Sequence, residues 1–185
     1  MADPVTPGRV IAVTGSPGSG KSTVARILAE TSPAPRTAHL HSDDFYNYLR
    51  KDRLLPWLPE AHAQNATVIE ALVAASFAYA RGGYEVVFDG ILGPWFLAPF
   101  RERAAVDAID FHYVVLRPAR AEAIARVVAR DGEAQTDVAA IAGLWDQFAD
   151  LGELEGHVVV TAGMTPEETV ALVRDGIESG RFRLE

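Results

Sequence analysis

Cysteine is absent from the 185 residues. Disulfide staples, thiol catalysis and zinc sites built on thiolates are therefore excluded, and the composition suits a reducing compartment. Positive charge is scarce as well, with 17 Lys and Arg against 25 Asp and Glu and a formal net charge of −8. That balance argues against general nucleic-acid affinity, which needs a basic face along the phosphate backbone. No apolar run approaches the length of a membrane span. Residues 1–8 carry two prolines and lack a charged stretch followed by an apolar one. Repeats, low-complexity tracts and an interdomain linker are also missing. The expectation is one soluble, cytoplasmic domain over residues 1–185, with a flexible segment at 1–8 and a single core that needs no staple.

What the sequence does contain is Gly15-Ser16-Pro17-Gly18-Ser19-Gly20-Lys21-Ser22, a full match to G-x-x-x-x-G-K-[ST]. Residues 9–14 before it read as a buried strand and residues 22–30 after it as a helix, the context in which this motif binds phosphate. Glycines let the backbone turn its N–H groups around a polyphosphate, and the helix dipole adds a favourable field. Lys21 reaches the terminal phosphates, and the Ser22 hydroxyl suits Mg²⁺. The stretch from Gly15 to Thr23 is thus the candidate ATP site. The competing reading is a glycine-rich turn that binds nothing.

Periodicity predicts four more strands, at 37–41, 84–88, 108–116 and 157–161, with helices at 67–81, 119–130, 137–151 and 165–179. Residues 91–100 read as an apolar loop punctuated by proline. Thr165-Pro166-Glu167-Glu168 matches a capping box. Strands alternating with helices predict a three-layer α/β domain, a five-stranded parallel sheet flanked by helices, with its chemistry at the carboxyl ends of the strands. Asp43 and Asp44 follow the second strand there, although acidic residues opening a helix are also ordinary caps. Asp89 follows the third strand and reads either as a Mg²⁺ or substrate anchor or as half of an Asp-Gly turn. Residues 42–66 mix aromatic, basic and amide groups, with Tyr46, Arg50 and Trp57 as substrate contacts. Packing alone is the rival account of Trp57, and a solvated face that of Arg50. Arg126 and Arg130 share a helix face at the start of a segment, 126–137, suited to a lid; their rival reading is a pair of solvated charges beside Glu122 and Asp131.

Together these features resemble the P-loop small-molecule kinases: nucleoside and nucleotide kinases, gluconate and shikimate kinases, and chloramphenicol phosphotransferase. Asp43-Asp44-Phe45-Tyr46 is similar to the D-[DS]-F-[FY] segment of nucleoside-type kinases. The resemblance implies that Asp43 accepts the substrate hydroxyl proton, with Asp44 beside it. Arg126-Val127-Val128-Ala129-Arg130 resembles the R-x-x-x-R pair of adenylate-kinase-like lids, which implies one arginine against adenine and one, Arg130, on the transferring phosphate. Thr161-Ala162-Gly163-Met164 occupies the place of the loop that touches adenine in such kinases. The chain departs from the relatives in lacking the long insertion of many nucleotide kinases and the glycine-rich substrate motif of shikimate kinases.

The implied function is transfer of the γ-phosphoryl group of ATP, with Mg²⁺, to a hydroxyl of a nucleoside, a sugar or sugar acid, or an antibiotic. Asp43, Lys21 and Arg130 would be its catalytic residues, with Ser22 and Asp89 at the metal. The alternative is an ATP-binding switch without phosphotransfer, read by a protein partner on the aromatic segment from Phe45 to Trp57.

Overall fold

The computed structural model describes residues 6–131 and 137–185. Residues 132–136, the centre of the expected lid, and residues 1–5 lie outside the described residues. Five parallel strands, β1 (Val10–Thr14), β2 (Thr37–His41), β3 (Glu85–Asp89), β4 (Phe111–Arg117) and β5 (Val158–Val160), lie in the order β2-β3-β1-β4-β5. The expected parallel sheet is present. A two-residue strand, β6 (Arg183–Leu184), adds an antiparallel edge to β4 that periodicity did not predict, because two residues carry no period.

Alternation along the strands divides the core in two. Val10, Ala12, Val86 and Phe88 face one side and pack with α3 (His62–Arg81) and α4 (Ala98–Asp107). Ile11, Val13, Val87 and Val114 face the other and pack with α1 (Lys21–Glu30) and α7 (Pro166–Glu178). Both faces of the sheet are covered, which is why the strands read as unbroken apolar runs. Phe88, Phe100 and Phe111 stack through the first layer with centroids 5.1 and 5.2 Å apart. The capping box of α7 forms as its sequence predicts. Among the described residues, no helix is long and apolar enough to cross a membrane.

Several boundaries differ from the expectation. Helix α4 occupies residues read partly as loop: Pro99 lies in its first turn, where a missing N–H costs nothing, and Phe100 and Ala104 are its buried positions. Helix α3 begins at His62 rather than 67, because a turn of 3-10 helix at Pro59–Ala61 leads directly into it. Two further helices are α5 (Arg120–Asp131) and α6 (Val138–Asp146). The latter stops five residues short of the expected end. The short α2 (Ser42–Asn47) opens directly off β2, with no side-chain cap.

At the floor of the sheet, opposite the phosphate loop, His112 is buried on β4 and its Nδ1 has no hydrogen-bond partner. Burial, helped by the Arg9 and Arg183 cations and opposed by Asp110 and Glu178, pushes its pKa down to about 4. A histidine whose folded pKa lies below its unfolded value contributes stability that is complete above about pH 6.5 and lost as pH falls toward 4. The chain is expected to lose ~3 kcal/mol from this group over that window. Urea unfolding at intervals from pH 7 to pH 4 checks it. The wild-type minus His112→Gln difference should change across the window, and parallel curves would contradict the assignment.

Candidate active site

The loop between β1 and α1 folds back under constraint. A Cβ on Gly18, whose φ is +77°, would lie 2.2 Å from the carbonyl oxygen of Ala123. The loop thus packs against the start of α5 so closely that only glycine fits. Lys21 points back across it, with Nζ 3.4 Å from the carbonyl oxygen of Ser16. Burial lowers the Lys21 pKa; the Asp43 and Asp89 carboxylates oppose that shift and Arg130 adds to it. The hydroxyls of Ser16 and Ser19 are buried without hydrogen-bond partners. Buried polar atoms are normally paired, so two orphans in one loop indicate donors arranged for a ligand.

Lys21, Ser22, Thr23, Arg126 and Arg130 line a groove of about 200 Å³ along this loop. Sharing Gly20, Thr23 and Arg126 with it, a second cavity of about 240 Å³ continues to Thr161, Met164 and Thr169. The Thr161 hydroxyl is a further buried orphan. Arg126 donates to the carbonyl oxygen of Gly18 at 3.3 Å and to Glu122 at 2.5 Å, so it ties α5 to the loop. Both arginines of the pair therefore face the groove.

Asp89, at the end of β3, is fully buried beneath Ser22. Ser22 Oγ donates to its Oδ2 at 2.5 Å, His41 Nδ1 lies 2.8 Å from the same oxygen, and His39 Nε2 lies 2.8 Å from Oδ1. Burial alone would raise the Asp89 pKa. The bonds from His39 and Ser22 and the proximity of His41 outweigh it and hold the carboxyl below its usual range, so the imidazoles donate to a carboxylate. Sheet pairing produces this contact: His41 is the register partner of Asp89, and His39, two residues earlier, projects from the same face of β2. A Cβ on Gly90 would lie 2.0 Å from the Ser42 hydroxyl, so the glycine after Asp89 admits the first residue of α2. From the far side of its ring, His41 Nε2 lies 3.5 Å from Asp43 Oδ2.

Asp43 opens onto a third cavity, of about 390 Å³, bounded by Tyr46, Trp57, Asn65, Trp95 and Gln147. Burial and the Asp43 charge raise the Tyr46 pKa. Among the sequence candidates, the structure thus gathers the phosphate loop with Arg126 and Arg130, and separately Asp43 with Tyr46 and Trp57. Asp44 and Arg50 are exposed and outside the cavity wall, and Asp89 lies below Ser22 rather than in that wall. His39 and His41 were not singled out from sequence, and Asn65 entered only as one of the amide groups of residues 42–66. The available signal was the His-x-His pattern on a strand ending beside an acid, which becomes informative once β2 is paired with β3. Among the described residues, no group of three or more His, Cys, Asp or Glu could hold a metal ion by itself. Ser22 and Asp89 offer hard oxygen donors of the kind that hold Mg²⁺ together with bound phosphates.

Comparison with known proteins places this arrangement. A family model described as an AAA domain matches residues 11–142, which include the phosphate loop, β3 and the arginine pair. The chain belongs to that AAA domain family. Its fold is that of P-loop small-molecule kinases. The APS kinase of Mycobacterium tuberculosis in complex with AMPPNP and APS is 23% identical, with a TM-score of 0.68 over 93% of this chain and 98% of that one. A sugar kinase from Janibacter sp. HTCC2649 is 21% identical, with a TM-score of 0.68 over 93% and 95%. The Deinococcus radiodurans tunicamycin resistance protein is also 21% identical, with a TM-score of 0.64 over 96% and 99%. A search of the curated proteins finds no match.

Replacing Asp89 by Ala would leave Ser22, His39 and His41 without their shared acceptor. Unfolding free energy at pH 7 is expected to fall by ~3 kcal/mol, the scale for stripping buried polar groups of a charged partner. Chemical denaturation measures it, and an unchanged midpoint would mean that solvent replaces the carboxylate at no cost.

Proposed function

We propose that the protein transfers the γ-phosphoryl group of ATP, with Mg²⁺, to a hydroxyl of a small polar molecule. The observation that carries this reading is that Asp43 borders a cavity that could hold an acceptor and also stands near enough to the phosphate-loop lysine for its charge to oppose the lowering of the Lys21 pKa by burial, so an acceptor and a donor would meet between them. The orphaned hydroxyls of Ser16, Ser19 and Thr161 fit a nucleotide laid from Lys21 to Thr161. The APS kinase neighbour bound to AMPPNP is consistent with this use of the fold.

Phosphoryl transfer asks little covalent chemistry of a protein, so positioning and charge neutralisation dominate. In this reading Lys21 and the loop amides hold the β- and γ-phosphates. Arg130 neutralises charge on the transferring group, while Arg126 spans the phosphate groove and the adenine-side cavity. Bound Mg²⁺ would supply charge neutralisation between the phosphates, held by Ser22 with Asp89 behind it. Asp43 accepts the acceptor's hydroxyl proton, with His41 Nε2 beside its carboxylate, and Tyr46 and Trp57 bound the acceptor. Water exclusion by the 126–137 segment would limit ATP hydrolysis.

ADP release with Mg-ATP across nucleosides, sugars, sugar acids and hydroxylated antibiotics tests the proposal. An acceptor should raise release well above background, and Asp43→Asn should lower the turnover by about 100-fold or more while ATP affinity stays within about twofold. ATP binding without acceptor-dependent release would instead favour a nucleotide switch. Release unchanged by Asp43→Asn would remove Asp43 from the mechanism.

A further inference from the structure

The wall of the acceptor cavity carries more information than its volume. Among the described residues, Asp43 is the one charged residue in it, and neither Lys nor Arg lines it. Three of the chain's basic residues, Lys21, Arg126 and Arg130, belong to the phosphate groove. The three nearest the cavity in sequence, Arg50, Lys51 and Arg53, are exposed outside its wall, and Arg53 is bonded to Asn47 at 3.0 Å. Residues 132–136, whose structure is not described, contain no Lys or Arg in their sequence. A carboxylate, sulfate or phosphate on the acceptor would therefore meet no counter-charge in the wall and face Asp43, an arrangement that desolvation and repulsion both oppose.

The rest of the wall is aromatic and amide. Trp57 and Trp95 remain 60% and 51% exposed although they border the same cavity, so their faces are not consumed by the core. Phe96 completes this side, stacked on His62 with centroids 6.0 Å apart. Asn65 is only 8% exposed. Its Nδ2 donates to the carbonyl oxygen of Pro56 at 2.7 Å, which fixes the orientation of the amide, and its Oδ1 is left buried with no partner. An acceptor oxygen of fixed position and no donor is an unfilled requirement in a buried site. The neighbouring Gln64 both accepts from the N–H of Leu54 and donates to its carbonyl oxygen, at 2.8 and 3.0 Å. The strap that carries Trp57 is thereby pinned to α3 at Leu54 and at Pro56.

We infer that the cavity takes an uncharged, hydroxylated molecule bearing a flat heteroaromatic ring with an N–H donor, of the nucleoside type. The ring lies against the tryptophan faces, its N–H donates to Asn65 Oδ1, and a hydroxyl is presented to Asp43. Aromatic walls supply sequence-tolerant stacking, whereas the amide supplies the hydrogen-bond discrimination that a hydrophobic wall cannot. This inference rests on the phosphotransferase reading for the role of Asp43, but the composition of the wall, and hence the ligand class, stands without it.

The test is therefore binding rather than turnover. Calorimetric titration of the full chain, with and without AMPPNP, would use uridine, thymidine, inosine and guanosine against gluconate and shikimate. At least one nucleoside should bind at least 10-fold more tightly than either anion. Methylating the ring nitrogen of that nucleoside should weaken it by about 10-fold or more, as should Asn65→Ala. Trp57→Ala, at an exposed position that leaves the core intact, should weaken it by a similar factor, and all variants should keep their affinity for AMPPNP. Tighter binding of gluconate or shikimate, together with ADP release on it, would overturn the ligand class while leaving the kinase reading in place. Nucleoside binding without ADP release would support the ligand class and overturn the kinase reading. Equal binding of the methylated and parent nucleosides would overturn the role of Asn65.

Discussion

One buried carboxylate sets the geometry of the catalytic edge. Asp89 accepts from Ser22 in the first turn of one helix and from two imidazoles of the neighbouring strand, and it does so at the point where the sheet ends. Because it is ionised and inaccessible, each of those donors is held in one orientation. Ser22 is fixed at the mouth of the phosphate loop, and His41 is fixed with its second nitrogen toward Asp43. The acid proposed for proton transfer thus stands one imidazole away from the buried carboxylate at the end of the neighbouring strand. Low dielectric around Asp89 strengthens these bonds, and the same low dielectric makes any one of them costly to leave unmade.

The parallel sheet is what allows this economy. Pairing of β2 with β3 sets His41 opposite Asp89, and pairing of β3 with β1 brings Asp89 beside the phosphate loop. The two chemistries the site would need, holding a polyphosphate and activating a hydroxyl, are built at the ends of β1 and β2, consecutive in sequence but separated in the sheet by β3, whose Asp89 lies between them. Their connections, α1 and α3, spend their apolar faces on opposite sides of the sheet, so neither core layer depends on the site.

Much of this was legible before any coordinates. The phosphate loop, the alternation of strands with helices, the capping box of α7 and the acids at the ends of β2 and β3 all carry local signals, because turn chemistry and periodicity are properties of short windows. What was not legible is pairwise. His39 and His41 acquire meaning only through register with β3, and Asn65 only through its bond to Pro56 across a turn. Helix α4 was obscured because it buries only Phe100 and Ala104, too few for a periodic stripe, and because its proline looks like a breaker until its place in the first turn is known. Conversely, composition leaves Arg50 open between a substrate contact and a solvated face, and the structure leaves it exposed outside the cavity wall.

The strap between α2 and α3 has an implication for how such a site changes over evolutionary time or in the laboratory. Residues 54–58 form no regular strand, yet three side-chain bonds from Gln64 and Asn65 bind them to the first turn of the long core helix. Altering Trp57 there leaves the surrounding frame fixed, whereas altering Gln64 or Asn65 removes bonds that hold the strap to the helix. The unit that can be exchanged to refit the cavity to a different occupant is therefore the block from Leu54 to Asn65, transplanted with its own amide pins, and single replacements within it explore only the width of a frame already set.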